Sequence, residues 1–185
     1  NTYYRFIMNI AINNKFNPLF KNDSRYYLLT GGRGSAKSFS VALYLCTLTF
    51  EEGQKILFTR YTLTSAKISI IPEFIEKIEL LNVGHHFKIT NDSIENTTTG
   101  STIIFKGVKT SSGNQTAALK SLQGITTWVY DEAEEEESES NFDKIDLSIR
   151  TKGVYNKVIL ILNPSTKEHW IYSKFFESKG VSEGH

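Results

Sequence analysis

The stretch LLTGGRGSAKSFSV, residues 28–41, decides the fold of this chain. Apolar residues that predict a short strand lead into a glycine turn, and Lys37-Ser38 then opens an apolar run that predicts a buried helix. In a strand, glycine loop and helix of this order, backbone N–H groups and the helix N-terminus face an anion. We therefore predict a phosphate-binding loop formed by Gly31, Gly32, Arg33, Gly34, Ser35, Ala36, Lys37 and Ser38.

Two residues of this loop have the chemistry that a nucleotide needs. We expect Lys37 to reach the β- and γ-phosphates of ATP and Ser38 to coordinate Mg²⁺. Ala36 stands where the usual pattern has glycine. Because Ala36 lies at the start of a helix, we expect a negative φ there, and alanine then needs no forbidden backbone angle. The competing interpretation is a glycine turn with a surface lysine, which the strand before it and the helix after it disfavour.

The segment TTWVYDEAE, residues 126–134, is an apolar strand that ends in acidic residues. Asp131 can hold Mg²⁺ through water, and Glu132 beside it can activate a water molecule for attack on the γ-phosphate. Two acids after an apolar strand are common. Their place about ninety residues after a phosphate loop makes this interpretation the favoured one. We expect the acids from Glu134 to Glu139 to form only a solvated loop or the start of a helix.

Two further residues have a functional and a structural interpretation. Arg33 is either a solvent-facing loop residue or a guanidinium folded over the phosphates, where it would stabilise charge as an arginine finger does. Asn163-Pro164 ends an apolar strand, which a proline turn explains. The alternative is that the Asn163 amide senses the γ-phosphate and passes its state to a moving part.

Apolar strands alternate with helical segments along the rest of the chain. Strands are predicted at 25–30, 55–60, 126–132 and 157–165, and helices at 37–50, at 63–81 with an interruption near Pro72, and at 141–151. Residues 86–108 alternate in polarity and contain turn residues, which predicts two or three antiparallel strands.

This order of elements predicts an α/β fold with a mainly parallel central sheet flanked by helices. With the phosphate loop, it indicates a P-loop NTPase of the ASCE/RecA-like type with an added antiparallel segment. Ligands of such sheets bind beyond the carboxyl ends of the strands. We therefore expect four loops to lie together at one edge, namely 31–38, 60–64, 131–135 and 163–166.

The net charge of +1 hides an uneven distribution of charge. Seven acids lie between residues 131 and 139: Asp131, Glu132, Glu134, Glu135, Glu136, Glu137 and Glu139. Outside this segment 21 basic residues stand against 13 acidic ones, a balance basic enough to meet a polyanion. The single cysteine, Cys46, allows no disulfide within the chain, which fits a reducing compartment.

The sequence contains no secretory signal pattern and no apolar run long enough to span a membrane. We expect residues 1–24 to be a lead-in segment and residues 25–185 to form one domain. The chain starts at Asn1 and ends in SEGH, so we expect it to be a fragment.

Four quoted segments together resemble a known family. They are GGRGSAKS, ALKSLQGITTWVYDEAEE, LSIRTKG and ILILNPSTKEHWIY, and the similarity runs from about Arg25 to Phe176. This set is similar to the ATPase domain of the large terminase subunit of tailed bacteriophages, the motor that packages DNA into the procapsid. Ala36 departs from that family's glycine.

The resemblance implies a role for each matching residue. Lys37 and Ser38 match the Walker A pair and Arg33 its arginine, Asp131 and Glu132 match the Walker B acid and catalytic glutamate, and Asn163 falls in the coupling motif. In a ring of subunits, a basic residue of one subunit can complete its neighbour's site. Lys120 and Arg150 are the candidates for this role, and the alternative for each is a surface cation.

The resemblance also implies partners and a location. We expect ATP hydrolysis coupled to translocation of double-stranded DNA, a ring on the portal vertex of the procapsid, and a small terminase subunit that chooses the DNA. The isolated fragment is expected to be a monomer without membrane contact. The family's nuclease domain would lie outside these residues, so no nuclease activity is expected. The location would be the cytoplasm of the infected bacterial host, not the mature virion.

Other functions also fit the residues. One is another P-loop DNA motor, such as a helicase or a partition ATPase. Another is a nucleotide-binding regulatory module with little turnover, which Glu132 argues against because mere binding needs no second acid. A third is a DNA-binding protein with an incidental glycine loop.

Overall fold

The computed structural model of the chain describes residues 13–110, 113–114, 116–163 and 166–180. Its strands are β1 (Tyr26–Thr30), β2 (Lys55–Thr62), β3 (Phe87–Ile89), β4 (Ser93–Asn96), β5 (Thr102–Thr110), β6 (Gly113–Asn114), β7 (Thr127–Asp131) and β8 (Lys157–Leu162). Its α-helices are α1 (Lys37–Leu48), α2 (Ala66–Ser69), α3 (Ile71–Leu80), α4 (Thr116–Lys120) and α5 (Glu139–Asp146). Short 3₁₀ helices span Asn14–Phe20, Gly84–His86, Ala133–Glu135 and Glu177–Lys179, and a π-helix spans Tyr172–Phe176.

The described strands form one mixed sheet in the order β1-β8-β7-β2-β5-β4-β3, with β6 beside β5. The neighbours from β1 to β5 along this order run parallel, and the pairs β5-β4, β4-β3 and β5-β6 run antiparallel. The predicted α/β class with a mainly parallel sheet is therefore confirmed. Strand β8 lies between the strand before the glycine loop and the strand that ends in Asp131.

The predicted antiparallel segment does not form a separate unit. Strand β5 pairs with β4 on one side and, in parallel, with β2 on the other, where Ile103 lies opposite Ile56. The segment therefore extends the central sheet. None of the helices in the described ranges has the length and apolar character needed to cross a membrane.

Apolar side chains cover both faces of the sheet, because strand residues alternate between faces. One face packs against α1 and α3 and includes Ile56, Phe58, Val129, Ile159 and Ile161. The other packs against α5 and the segment after β8, and includes Leu57, Trp128, Tyr130, Leu160 and Leu162. Helix α1 is buried along most of its length, as its uniformly apolar sequence predicts.

The ends of several elements differ from the prediction. The helix expected at 63–81 is two helices that meet at Ile70, and Pro72 lies in the first turn of α3, where a missing N–H costs nothing. Helix α5 starts two residues before the predicted 141 because the Ser138 hydroxyl caps it by accepting a hydrogen bond from Asn141 N. Strand β8 ends at Leu162, and Pro164 and Ser165 lie outside the described residues.

Candidate active site

The alternation of three neighbouring strands delivers polar side chains to one edge of the sheet. In β2, Arg60 follows Phe58 by two positions and therefore shares its face; Asp131 lies opposite Arg60 in β7. Asn163 stands two positions after Ile161 of β8, the residue that pairs with Asp131. Each apolar run on the α1 side of the sheet thus ends in a polar residue at the same edge.

This edge forms the wall of a pocket of about 370 Å³. The lining residues are Gly32, Arg33, Gly34, Ser35, Ala36, Lys37, Ser38, Phe39, Arg60, Asp131, Glu132, Ile161, Leu162 and Asn163. Members of all four loops that were expected to lie together meet here. The arrangement suits an anionic ligand that must contact both the glycine loop and the acids after β7.

The glycine loop folds around the amine of Lys37. Lys37 Nζ donates hydrogen bonds to the carbonyl oxygens of Gly31 and Gly32, the latter over 3.1 Å, and to Ser35 Oγ over 3.0 Å. Gly31 has a φ of 148°, and a Cβ atom there would lie 3.1 Å from Ser35 Oγ. The loop therefore needs glycine at this position to bring its backbone so close to the lysine.

The expected negative φ at Ala36 is wrong. Ala36 has φ 61° and ψ 18°, the left-handed conformation, and it caps α1 by accepting a hydrogen bond from Ser40 N over 3.0 Å. The left-handed conformation costs an L-residue about 1–2 kcal/mol, which explains why the usual pattern has glycine there.

Asp131 and Glu132 lie next to each other in very different environments. The side chain of Asp131 is 6% exposed; its Oδ2 accepts from Arg60 Nε over 2.8 Å and its Oδ1 from Glu132 N over 3.1 Å. Glu132 is much more exposed than Asp131 and has a left-handed φ of 56°. Such backbone strain is typical of functional positions. Partial burial raises the pKa of the Glu132 carboxyl, Arg60 opposes this shift, and the Asp131 charge adds to it.

Arg60 is a site residue that sequence interpretation missed. Loop 60–64 was expected at the edge, yet no role was assigned to this arginine. The available signal was a cation at the carboxyl end of an apolar strand, two positions after Phe58. Its pairing with Asp131 could not be read from the sequence, because the two residues are far apart in the chain and only the sheet order makes them neighbours.

Asn163 connects the pocket to the acidic turn. Its Nδ2 donates to Glu134 Oε1 over 2.9 Å. The expectation that the acids after Glu132 are solvated is wrong for Glu136, which is 2% exposed. Its carboxylate accepts from Tyr130 Oη over 3.1 Å and from Ser138 N over 3.0 Å. The buried tyrosine hydroxyl needs a partner, and Glu136 supplies it.

Lys120 and Arg150 are exposed and do not line the pocket of their own chain. Around Arg150, the Ile149 carbonyl accepts from Arg25 and the Thr151 hydroxyl donates to Ile125, residues at the amino ends of β1 and β7. Lys120 ends α4 and leads to Gln123, whose carbonyl accepts from Lys55 at the start of β2. The backbone beside Arg150, and the backbone three residues after Lys120, thus lie near the edge opposite the pocket.

The chain matches proteins of one family by sequence. A family model described as phage terminase large subunit matches residues 23–183. The chain is 29% identical over 124 residues to the terminase large subunit of Bacillus phage SPP1. The aligned region covers 62% of this chain and 28% of that protein. It is 26% identical over 171 residues to the PBSX phage terminase large subunit of Bacillus subtilis strain 168. Here the aligned region covers 89% of this chain and 38% of that protein. The chain thus spans less than half the length of these relatives.

Solved structures share the fold. The large terminase of a thermophilic bacteriophage matches with a TM-score of 0.71, and its complex with ATP-γ-S with 0.65, both at 12% identity over 92% of this chain and 43% of that one. The bacteriophage Phi-29 viral genome packaging motor assembly matches with a TM-score of 0.64 at 13% identity, over 94% of this chain and 52% of that chain. With a family model that matches most of its length, the chain belongs to the phage terminase large subunit family.

Proposed function

We propose that this chain binds and hydrolyses ATP, and that hydrolysis drives translocation of double-stranded viral DNA into the procapsid. The observation that carries the proposal is one pocket lined by Lys37 of the glycine loop and by Asp131 and Glu132 after β7. Family membership supports the same function, as do the thermophilic phage's terminase with bound ATP-γ-S and the Phi-29 packaging motor.

ATP would bind with its phosphates on the glycine loop. The backbone N–H groups of residues 31–38 and the start of α1 supply donors and a positive partial charge. Lys37 would exchange its bonds to Gly31, Gly32 and Ser35 for bonds to the β- and γ-phosphate oxygens. Arg33, exposed at the rim of the pocket, would fold over the phosphates and offset their charge.

Mg²⁺ would enter with ATP, and the residues present fit it. Ser38 and Asp131 both line a narrow crevice under the start of α1, together with Glu73 of α3. Hydroxyl and carboxylate oxygens are the hard ligands that Mg²⁺ prefers, and the ion takes its other ligands from phosphate and water. In the described part of the chain, no three His, Cys, Asp or Glu side chains form a metal cage by themselves. A magnesium ion brought by the nucleotide agrees with this donor set.

Glu132 would act as the general base. Its carboxylate lies at the pocket wall next to Asp131, and its raised pKa makes it a better proton acceptor than an ordinary glutamate. It would orient a water molecule and take its proton during attack on the γ-phosphate. Asn163, at the same wall, would detect loss of this phosphate, and its bond to Glu134 would carry the change into the turn after Glu132.

The partners follow from the family. The proposed assembly is a ring of subunits on the portal vertex of the procapsid, with a small terminase subunit that selects DNA, in the cytoplasm of the infected host. Basic residues outside the acidic run would contact DNA phosphates without reading sequence. Lys120 or Arg150 would serve the neighbouring subunit's site in that ring.

Substitution of the loop lysine tests the proposal. Lys37→Ala is expected to abolish binding of a labelled ATP analogue, while Lys55→Ala is the matched control, because Lys55 also bonds a backbone carbonyl but lies at the opposite edge. Unchanged binding by folded Lys37→Ala would refute the nucleotide site. Double-stranded DNA is further expected to stimulate hydrolysis by wild-type protein without strand separation; strand separation would instead indicate a helicase.

A further inference from the structure

Arg60 is held at the nucleotide pocket by a single side-chain interaction. Its Nε donates to Asp131 Oδ2 over 2.8 Å, and its side chain is 17% exposed. A guanidinium has five N–H donors and cannot lose its charge in a protein. In the described part of the chain, no residue accepts a hydrogen bond from its two Nη nitrogens. Most of its hydrogen-bonding capacity is therefore available to a ligand.

The surroundings of Arg60 are unusually acidic for one cation. The carboxylates that act on it are those of Asp131, Glu132 and Glu73.

Arg60 is also one of the three cations that line the pocket, beside Arg33 and Lys37. Arg33 and Lys37 belong to the glycine loop, whereas Arg60 faces them from β2, on the other side of Asp131. An anion in the pocket would thus meet positive charge from two directions.

The position of Arg60 selects one phosphate of the nucleotide. The α- and β-phosphates lie on the glycine loop, whereas the reacting γ-phosphate lies toward the acids after β7. A donor that is already bonded to Asp131 is placed on the γ side. Arginine binds phosphate oxygens in a planar, often bidentate geometry, and such charge-assisted contacts are stronger than hydrogen bonds between neutral groups.

We propose that Arg60 contacts the γ-phosphate of ATP from within the same chain, with its Nη donors, while its Nε retains Asp131. The inference rests on the proposed function, because it names a residue of that same site. Arg60 then distinguishes ATP from ADP and ties recognition of the third phosphate to the orientation of the acid that holds Mg²⁺.

The test compares two nucleotides on three proteins. Dissociation constants for labelled ATP-γ-S and ADP are measured with Mg²⁺ on wild type, Arg60→Gln and Arg60→Lys. We expect Arg60→Gln to weaken ATP-γ-S binding by roughly tenfold or more, as expected for loss of one charge-assisted contact, and ADP binding by less than about threefold. Arg60→Lys retains the positive charge but lacks the planar guanidinium, so its affinity for ATP-γ-S is expected to lie between those of wild type and Arg60→Gln.

The matched control is Arg25→Gln. Arg25 also pairs with a carboxylate, Asp146, over 2.8 Å, but at the opposite edge of the sheet, so both nucleotides are expected to bind it as they bind wild type. Thermal unfolding monitored by circular dichroism identifies variants that fail to fold, and Arg60→Lys then replaces Arg60→Gln. Equal changes for ATP-γ-S and ADP, or no change, in folded protein would overturn the proposal. If wild type binds neither nucleotide, the proposed ATPase function itself fails.

Discussion

Asn163 Nδ2 donates a hydrogen bond to Glu134 Oε1 over 2.9 Å, which joins the residue after β8 to the turn that follows Glu132. The other carboxylate oxygen, Glu134 Oε2, is buried and has no hydrogen-bond partner among the described residues. The Glu134 carboxylate is therefore bonded at one oxygen only, by a residue that also lines the pocket. A change at Asn163 would leave the Glu134 carboxylate without this bond, while backbone hydrogen bonds still hold the turn.

Asn163→Ala is expected to separate hydrolysis from binding. The bond is exposed, so its loss should change the unfolding free energy by less than about 1 kcal/mol and leave ATP affinity nearly intact. Hydrolysis should fall by about tenfold, because one oriented contact near the reacting phosphate is lost. Glu134→Ala, which removes only the acceptor, should show part of this loss. Wild-type rates in both variants, measured by phosphate release, would exclude a role for the pair.

Glu132→Gln is expected to bind ATP but to hydrolyse it hardly at all. The substitution keeps the size of the side chain and removes the carboxylate that accepts a proton, so the loss should be on the order of 10²–10⁴-fold in kcat. Glu135→Gln is the matched control, since Glu135 is an exposed acid in the same turn and does not line the pocket. A kcat near wild type for Glu132→Gln would move the role of base to another residue.

The backbone at Ala36 predicts an unusual response to glycine. Ala36→Gly removes the cost of a left-handed alanine, which stabilises the folded state. The greater flexibility of glycine in the unfolded chain partly offsets this gain. The unfolding free energy should therefore stay equal or rise by up to about 1 kcal/mol. The same exchange in helix α4, Ala118→Gly, should lower it by about 0.5–1 kcal/mol. Denaturant titration measures both.

Nucleotide affinity should respond weakly to the Ala36 exchange. A single methyl at the cap is expected to change it by less than about tenfold, roughly 1.4 kcal/mol. A larger gain in affinity for Ala36→Gly would mean that the methyl crowds the phosphates.

Lys157 predicts a pH dependence of stability. Its amine is buried between the Leu19 carbonyl and the Tyr44 hydroxyl, and this burial lowers its pKa to about 8 from an ordinary value of 10.5. Between these values the unfolded chain binds the proton more often than the folded one. The unfolding free energy therefore increases as the pH rises above 8, and this contribution is lost as the pH falls through 8.

The comparison that isolates Lys157 is with Lys157→Met. The buried thiol of Cys46, whose pKa burial raises to about 12, gives an opposite slope that both proteins share. The difference in unfolding free energy, wild type minus variant, should therefore rise between pH 8 and 9.5. A difference that is flat over this range would show that Lys157 titrates normally.

Local patterns predicted most of the fold. The apolar runs at β1, β7 and β8 and the turn from β1 into α1 required no knowledge of distant residues, because buried parallel strands and helices have strong signals of their own. The start of α5 and the split at Ile70 were less predictable, since caps and packing decide such boundaries.

The errors at the site share a physical cause. The conformation of Ala36 depends on the path of a whole loop, Arg60 gains its partner only from the order of the strands, and Glu136 is buried because Tyr130 is. Each of these relationships depends on the folded path of the chain and not on the residue pattern, even for Tyr130 and Glu136, which are six residues apart. The meeting of Lys37, Asp131 and Glu132 at one pocket could be predicted because each lies where a strand or helix begins or ends, and topology alone fixes those places.

The last prediction concerns assembly. Lys120 and Arg150 do not line the pocket of their own chain, so each is a candidate to complete a neighbour's site. A cation supplied in trans accelerates other phosphoryl transfers by roughly 10³–10⁵-fold, so specific activity should rise with protein concentration or on tethering to a ring scaffold. Substitution of the acting cation by Ala should remove that rise while ATP affinity stays nearly intact.

A mixture of two inactive variants tests this arrangement directly. Glu132→Gln keeps the cation and loses the base, whereas Lys120→Ala or Arg150→Ala keeps the base and loses the cation. In a ring, each site combines the base of one subunit with the cation of the neighbour on one side, because ring interfaces are heterologous. A site is complete only where a subunit that keeps the base meets a neighbour that keeps the cation. Random mixing of equal amounts should therefore restore about a quarter of the sites. If the mixture stays inactive where wild type assembles and turns over, neither cation acts in trans. The site must then be completed within one subunit, and Arg33 and Arg60, which both line the pocket, are the residues that could do so.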